Sequence, residues 1–376
     1  MRDTQHLDKL RISGFRGLSS LDLKDLGSFN ILLGANDTGK TSTLEAIFLL
    51  LGFPNLELPI RVHNWRNYLV HGLDALSPLF HKLDVDKQIR LEAQSCDSTE
   101  RALMISAPYA QPTAATKTQR VESDANGDAV KIQSDEQARV QSSSSIPSGP
   151  RFLQYDATVK LAPQEDPIPF SGRLVMREGH REITWTPDTV ADMIIPVRYF
   201  SAHYGYDGNI IADLIINKKT DELLEYLRVI NPRIADITVS GDVAYLDIGL
   251  EKMMPLNMFG GGMIRAATIL SPCILGNEQI VLIDELENGL HYQAILPLLK
   301  ALFRLSNERH VQVFATTHSL EILKGLQQVL SQDQFSENQQ TTNCYTLQRD
   351  EQGLVRSYRY GYDQLEHCIA HGIEIR

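Results

Sequence analysis

Two apolar periodicities divide this chain. Leu7-Asp-Lys-Leu-Arg-Ile-Ser-Gly-Phe-Arg-Gly-Leu18 and Leu21-Asp-Leu23 alternate apolar with polar residues on either side of a glycine-containing turn, which predicts a β-hairpin. Asn30-Ile-Leu-Leu33 is a short apolar run of strand type, and residues 41–51 carry helical apolar spacing free of Pro and Gly. Mixed spacing over 54–83 predicts helix followed by sheet, and Ile89-Arg-Leu-Glu-Ala93 alternates as a further strand. Strand-like pieces recur at Ile183-Thr-Trp185 and Ile194-Ile-Pro-Val-Arg-Tyr-Phe200. Residues 220–229 read as a helix with Glu222, Glu225 and Arg228 on its wet side. Asp236-Ile-Thr-Val239 and Ala244-Tyr-Leu-Asp-Ile248 form a second hairpin around Ser240-Gly-Asp242. Gln279-Ile-Val-Leu-Ile283 is apolar throughout, as in a strand buried on both faces of a parallel sheet. A helix over 292–305 links it to a neighbouring strand, His310-Val-Gln-Val-Phe-Ala315, so the pattern predicts an α/β core assembled from both chain ends.

Between 111 and 150 the pattern stops. Gln, Ser, Thr, Ala and Asp dominate, with serines at every position from Ser142 to Ser145, so little apolar surface is available to offset ordering entropy. A mobile insertion is expected there. At 376 residues and 43% apolar, the chain has material for one large or two ordinary domains. Its net charge of −11 argues against a broad basic surface, leaving any DNA contact to a local patch or a partner. Cys96, Cys273, Cys344 and Cys368 are far apart, which predicts reduced thiols rather than a disulfide framework or a zinc site. The N-terminus is polar and no apolar run approaches the ~20 residues of a membrane span, so a cytoplasmic protein is expected.

The densest chemistry lies between the first apolar strand and the first helix. Gly34, Ala35, Asn36, Asp37, Thr38, Gly39, Lys40 and Thr41 fit G-x-x-x-x-G-K-[ST], with Ser42 continuing into the helix. Glycines let the backbone N–H groups wrap phosphates, Lys40 reaches the β- and γ-phosphates, and the Thr41 hydroxyl binds Mg²⁺. ATP and Mg²⁺ are the expected ligands. Asp284 and Glu285 end the apolar strand at 279–283. An Asp there supports the metal, with Thr41, while the adjacent Glu orients and deprotonates water. His318, in Thr316-Thr-His-Ser319, ends the next strand, where an imidazole can sense the γ-phosphate. Gly260, Gly261 and Gly262 precede the helical run 263–270 and offer a second set of helix N-terminal donors. Because one P-loop already serves the nucleotide of its own subunit, this tip makes sense closing over a second subunit's nucleotide in a symmetric dimer.

The order of these motifs resembles the ABC-type ATPases of the SMC, RecF and OLD-like branch, including the AAA-labelled ATPase subunits of bacterial defence systems. The resemblance runs through Ile12-Ser-Gly-Phe-Arg-Gly17, the Walker A loop, Gly260-Gly-Gly-Met263 as signature, Asp284-Glu285 as Walker B, Asn288-Gly-Leu-His291 as D-loop and His318 as switch histidine. It covers about 1–55 and 255–330. It implies an α/β P-loop NTPase core of ABC-head type, with an N-terminal antiparallel β subdomain and a helical subdomain carrying the signature. One head would then span 1–376: hairpin and Walker A in 1–55, a middle lobe over 56–254, the remaining motifs in 255–330 and a C-terminal segment over 331–376. It also implies a homodimer or higher homo-oligomer that sandwiches ATP. Phe259 and Gly262 stand where the usual signature has serine and a polar residue, and Gly261 where the OLD-like pattern often has an acid. Gln88 and Gln94 are the candidates for the Q-loop glutamine. Too few residues follow His318 for a TOPRIM nuclease domain of about 100 residues. The family tail, Tyr360 to Arg376, implies instead a separate nuclease partner.

Overall fold

In the computed structural model, described for residues 5–66, 68, 72–109, 118–123, 129–135, 151–162, 166–177, 180–187, 193–202, 205–276 and 278–373, the elements follow the periodicities closely. Strands β1 (Leu7–Phe15) and β2 (Leu18–Leu23) form the opening hairpin, and β3 (Phe29–Leu33) runs through the glycine loop into α1 (Lys40–Leu51). Helix α2 (Leu58–Asn64) precedes seven strands: β4 (Ile89–Ser95), β5 (Glu100–Ser106), β6 (Thr118–Ser123), β7 (Ala129–Asp135), β8 (Leu153–Lys160), β9 (Ile168–Arg177) and β10 (His180–Thr186). Then come β11 (Val197–Phe200), α3 (Gly208–Ile216), α4 (Thr220–Ile230), β12 (Asp236–Ser240), β13 (Val243–Asp247), β14 (Met254–Pro255) and α5 (Gly261–Leu275). The chain ends through β15 (Ile280–Ile283), α6 (Tyr292–Arg309), β16 (Gln312–Thr316), α7 (Leu320–Leu330), β17 (Thr342–Arg349), β18 (Val355–Tyr360) and α8 (Tyr362–His371).

Among the described residues, three sheets form. An antiparallel sheet runs β2-β1-β4-β5-β8-β9-β10-β6-β7, and a small one joins β12, β13 and β14. The central sheet, β11-β15-β16-β3-β17-β18, is parallel except for β18. Its inner strands β15, β16 and β3 are buried at every position because both faces are covered. Ile280, Leu282, Phe314 and Leu32 face the core shared with α1 and the antiparallel sheet, whereas Val281, Ile283, Val313, Ile31 and Leu33 face helices α5, α6 and α7. Helix α1 lies between two sheets and has no wet face: every residue except Thr41 is buried. The hydroxyl that the P-loop motif singles out is thus on the one open position of this helix.

The 111–150 segment departs from expectation. Its described pieces, β6 and β7, continue the antiparallel sheet through β10, with Arg181 opposite Val121; the rest of the segment lies outside the described residues. Apolar content does not report backbone pairing, which supplies hydrogen bonds whatever the side chains. The strand expected over 194–200 shortens to β11, and all four cysteines are free thiols. No described helix is long and apolar enough to cross a membrane.

Candidate functional site

The site is assembled where β3, β15 and β16, adjacent and parallel, release their C-terminal ends. Gly34 leaves β3 at φ +134°, and a Cβ there would strike the Leu347 carbonyl of β17. Gly39 precedes α1 at φ +97°, where a Cβ would strike Leu18. Both positions are therefore closed to side chains by space as well as by conformation. Thr38 Oγ1 donates to the Ala35 carbonyl at 2.9 Å, while Asn36 and Asp37 sit exposed on the crest, Asp37 at φ +62°. Nothing caps α1 with a side chain and its first turn holds no acid, so the N–H groups there remain available to an anion.

Lys40 is buried, and its ammonium donates to the carbonyls of Gly34 and Ala35 at 2.9 and 2.8 Å. Burial pulls its pKa below the ordinary lysine value, against the opposing pull of Asp284, Glu287, Glu285 and Asp37, in that order. Asp284, also buried, accepts from Thr41 Oγ1 at 2.9 and 3.1 Å and from Thr316 Oγ1 at 2.7 Å. The same Thr316 hydroxyl oxygen accepts the Glu285 N–H at 2.8 Å, which fixes Glu285 in a left-handed conformation at φ +47°. Left-handed backbone is costly for glutamate and is held here by its surroundings. His318 is tied in through its backbone N–H, which donates to Glu287 Oε1 at 2.7 Å. Lys40, Thr41, Asp284, Glu285 and His318, read separately from the sequence, thus converge on one set of strand ends.

The signature glycines pack on the D-loop of their own chain. Gly260 and Gly261 are exposed, and a Cβ on Gly261 would lie 2.6 Å from the Gly289 carbonyl oxygen. That approach leaves no room for a side chain at Gly261. Arg265, one turn further along α5, joins this region to Walker B by donating to the carbonyls of Ser201 at 2.9 Å and Asp284 at 2.6 Å. Burial depresses the pKa of its guanidinium, opposed by Asp284, Glu285 and Glu287.

Beside the P-loop opens a cavity of about 280 Å³ lined by Arg16, Gly39, Ser42, Arg66, Lys82 and Arg349. Glu45, one turn after Thr41, sits beneath it, 2.6 Å from Arg16 Nε and held by Arg66 at 2.7 and 3.0 Å. Arg16 Nη2 is buried with no hydrogen-bond partner. Arg349 Nη2 reaches across from β17 to the carbonyls of Asp37 at 2.9 Å and Gly17 at 3.2 Å, clasping the P-loop crest to the hairpin tip. A larger concavity, about 580 Å³, lies on the antiparallel sheet, where Arg11 pairs with Asp22 and Glu92, and it holds none of these groups.

Thr316, Glu287, Arg265, Glu45, Arg66 and Arg349 were not singled out by sequence. Glu287 lies next but one to Glu285, Thr316 two residues before His318 and Arg265 within the helical run after the glycines, whereas nothing in the sequence marked Glu45, Arg66 or Arg349. Gln88 and Gln94 take no part: Gln94 accepts from Lys9 at 3.0 Å and Gln88 from Arg90 at 3.2 Å.

These groups fit a magnesium nucleotide. Thr41 and Asp284 offer hard oxygen donors side by side, and the uncapped helix tip, Lys40 and the orphaned Arg16 nitrogen are donors suited to phosphate oxygens. Residues 162–324 match a family described as "AAA domain, putative AbiEii toxin, Type IV TA system", and residues 5–58 match one described as "Protein of unknown function (DUF2813)". An "ATP/GTP phosphatase" of Helicobacter pylori is 23% identical over 94% of this chain and 96% of that protein. The "DNA replication and repair protein RecF" of Actinobacillus pleuropneumoniae serotype 5b is 54% identical over 44 residues, 12% of each chain. These matches make the chain similar to ABC-type ATPases of the SMC/RecF branch. Among solved structures, an SMC head bound to the C-winged helix domain of ScpA aligns over 96% of this ATPase and 99% of that chain at 10% identity, TM-score 0.49. An SMC head domain from Thermotoga maritima aligns over 94% and 99% at 12% identity, TM-score 0.40.

Proposed function

We propose that this ATPase is a Mg²⁺-dependent head that closes as a dimer around two ATP molecules and, through closure and hydrolysis, controls a separate effector protein, a TOPRIM-like nuclease in bacterial antiphage defence or the DNA-damage response. The observation that carries the reading is the Thr41–Asp284–Thr316–Glu285 chain of hydrogen bonds. It supports the reading by holding the Thr41 hydroxyl, the Asp284 carboxylate and the Glu285 backbone on one frame of strand ends, as a metal-binding and water-activating site needs.

Within that frame each residue has a distinct task. The P-loop N–H groups of 34–39 and the α1 tip hold the phosphates, and Lys40 leaves the loop carbonyls to neutralise the β- and γ-phosphates. Arg16, with a nitrogen short of acceptors, adds a second cationic side chain beside Gly39 and Ser42. Mg²⁺, when bound by Thr41 and Asp284 together with phosphate oxygens, supplies charge neutralisation. Glu285 accepts the proton of the attacking water, and His318 senses the γ-phosphate. Gly260 and Gly261, exposed, with Gly262 buried behind them, present a helix tip to the second copy's nucleotide. The description of the matched AAA family in terms of a toxin–antitoxin system supports the defence setting.

The RecF match over 44 residues favours a second reading, a DNA clamp closed by ATP. Steady-state ATP turnover by the wild type and Glu285→Gln, with and without DNA, while mass is followed by light scattering, separates these readings. Wild-type turnover, a loss of roughly 10²–10⁴-fold in the variant and an ATP-trapped dimer support the head mechanism, and stimulation by DNA favours the clamp. ATP binding by both proteins with no turnover by either leaves a nucleotide-held scaffold instead.

A further inference from the structure

Glu287 combines a fixed backbone, one committed oxygen and one uncommitted oxygen at the mouth of the site. The turn that carries it is pinned on both sides. The Leu286 N–H donates to the Thr316 carbonyl at 2.9 Å, the Asn288 N–H to Glu285 at 2.9 Å, and Asn288 Nδ2 to the Ala202 carbonyl at 2.6 Å. Glu287 Oε1 accepts the His318 N–H at 2.7 Å. Glu287 Oε2 is buried and has no hydrogen-bond partner. A carboxylate oxygen removed from water and left unpaired costs more than a hydrogen bond gains, so the arrangement calls for a donor that is supplied when the site is filled. Among the carboxylates that act on the Lys40 ammonium, Glu287 ranks after Asp284 and ahead of Glu285, which puts it within the field of the phosphate site.

We propose that Glu287 is a positioning carboxylate of the hydrolytic machinery. Oε1 holds the His318 backbone in place, and Oε2 accepts a hydrogen bond from the attacking water in the nucleotide-bound state. Glu285 takes that water's proton, and Glu287 orients the water. The arrangement couples the end of β16 to the turn after β15, so that displacement of His318 misdirects the water as well. This inference rests on the hydrolytic reading above and adds a residue to it.

Glu287→Gln and Glu287→Ala separate the two oxygens. The amide keeps an acceptor for the His318 N–H but replaces Oε2 with a donor, and the methyl removes both. With MgATP as substrate and wild type and Glu285→Gln alongside, Glu287→Gln is expected to lower kcat by about 10–100-fold. Its ATP Kd and its Tm should stay near the wild-type values, and Glu287→Ala should be at least as slow. A Glu287→Gln protein with wild-type kcat, with only the Ala variant slowed, reduces Glu287 to a structural tether and overturns the proposal. So does a variant whose loss lies entirely in ATP affinity. Absence of turnover in the wild type sinks the hydrolytic reading and this inference with it, whereas normal wild-type turnover with an unaffected Glu287→Gln sinks this inference alone.

Discussion

Glu45→Gln probes how the wall of the nucleotide site is held. Glu45 is 1% exposed and faces Arg16, whose side chain is 9% exposed, and Arg66, whose side chain is 41% exposed. Neutralising Glu45 leaves both guanidinium groups without their counter-ion, but the consequences differ. Arg66 has a path to solvent and can swing outward at little cost. Arg16 cannot: burial already lowers its pKa, Glu45 is the leading influence that opposes this, and Nη2 has no hydrogen-bond partner. Removing one partner of a buried pair costs about 3–5 kcal/mol, mostly as the penalty of the stranded charge. At roughly 2 °C per kcal/mol for a large chain, Tm should fall by about 6–10 °C. Differential scanning fluorimetry without nucleotide measures it directly. The double variant Glu45→Gln with Arg16→Met removes the stranded charge along with its partner and should recover more than half of the loss. A Glu45→Gln protein that melts within 2 °C of wild type, or a double variant no better than the single, would refute the assignment of a buried, mutually dependent pair.

Three further outcomes follow from the same geometry. Thr316→Val keeps the shape of β16 but removes the hydroxyl that links Asp284 to the Glu285 backbone; kcat for ATP should drop by about 10–100-fold with the fold intact by circular dichroism, and an unchanged kcat would contradict the frame. Gly34→Ala forces a Cβ onto the Leu347 carbonyl at a left-handed φ, so ATP affinity measured by calorimetry should weaken at least about tenfold, and retained affinity would show that the loop has another way to seat phosphate. His63 is pushed down to about 4 by burial, with nearby Arg16 and Arg66 reinforcing it and its hydrogen bond to Pro59 opposing. The fold therefore favours its neutral form, and the associated stability is complete above the unfolded pKa of about 6.5 and is lost as pH falls toward 4. Urea midpoints should report about 2 kcal/mol less stability at pH 5 than at pH 8 from this group, and His63→Gln should flatten that slope; an unchanged slope would contradict the assignment.

What was legible in the sequence was what lies contiguously in it. The P-loop declares itself because eight consecutive residues must wrap one phosphate chain, and Asp284-Glu285 because the strand before it is buried on both faces. The helix over 220–229 and the hairpin at 236–248 appear with nearly the expected bounds, since each owes its form to local periodicity. Groups that reach the site by topology left no such trace. Arg66 arrives from the end of α2, stabilised by the stacking of Trp65 on Tyr199 of β11 with ring centroids 4.3 Å apart, and Arg349 arrives from a strand more than 300 residues after the P-loop. Neither spacing nor composition links them to Gly39. The antiparallel sheet was underread for another reason: β6 and β7 are polar strands held by ladder hydrogen bonds, so a search for apolar alternation passes over them. The glutamines at 88 and 94 misled because a glutamine near a strand is uninformative without its partner, and both bind basic side chains on the sheet.

The central claim is that two copies of this ATPase share each nucleotide, the P-loop of one facing the signature tip of the other. A structure of Glu285→Gln determined with ATP and Mg²⁺ tests it most directly. The account predicts a two-fold dimer with ATP held by Lys40 and Thr41 of one copy and capped by Gly260 to Gly262 of its partner. ATP bound in an isolated chain, or a dimer in which the signature glycines face solvent, would contradict it.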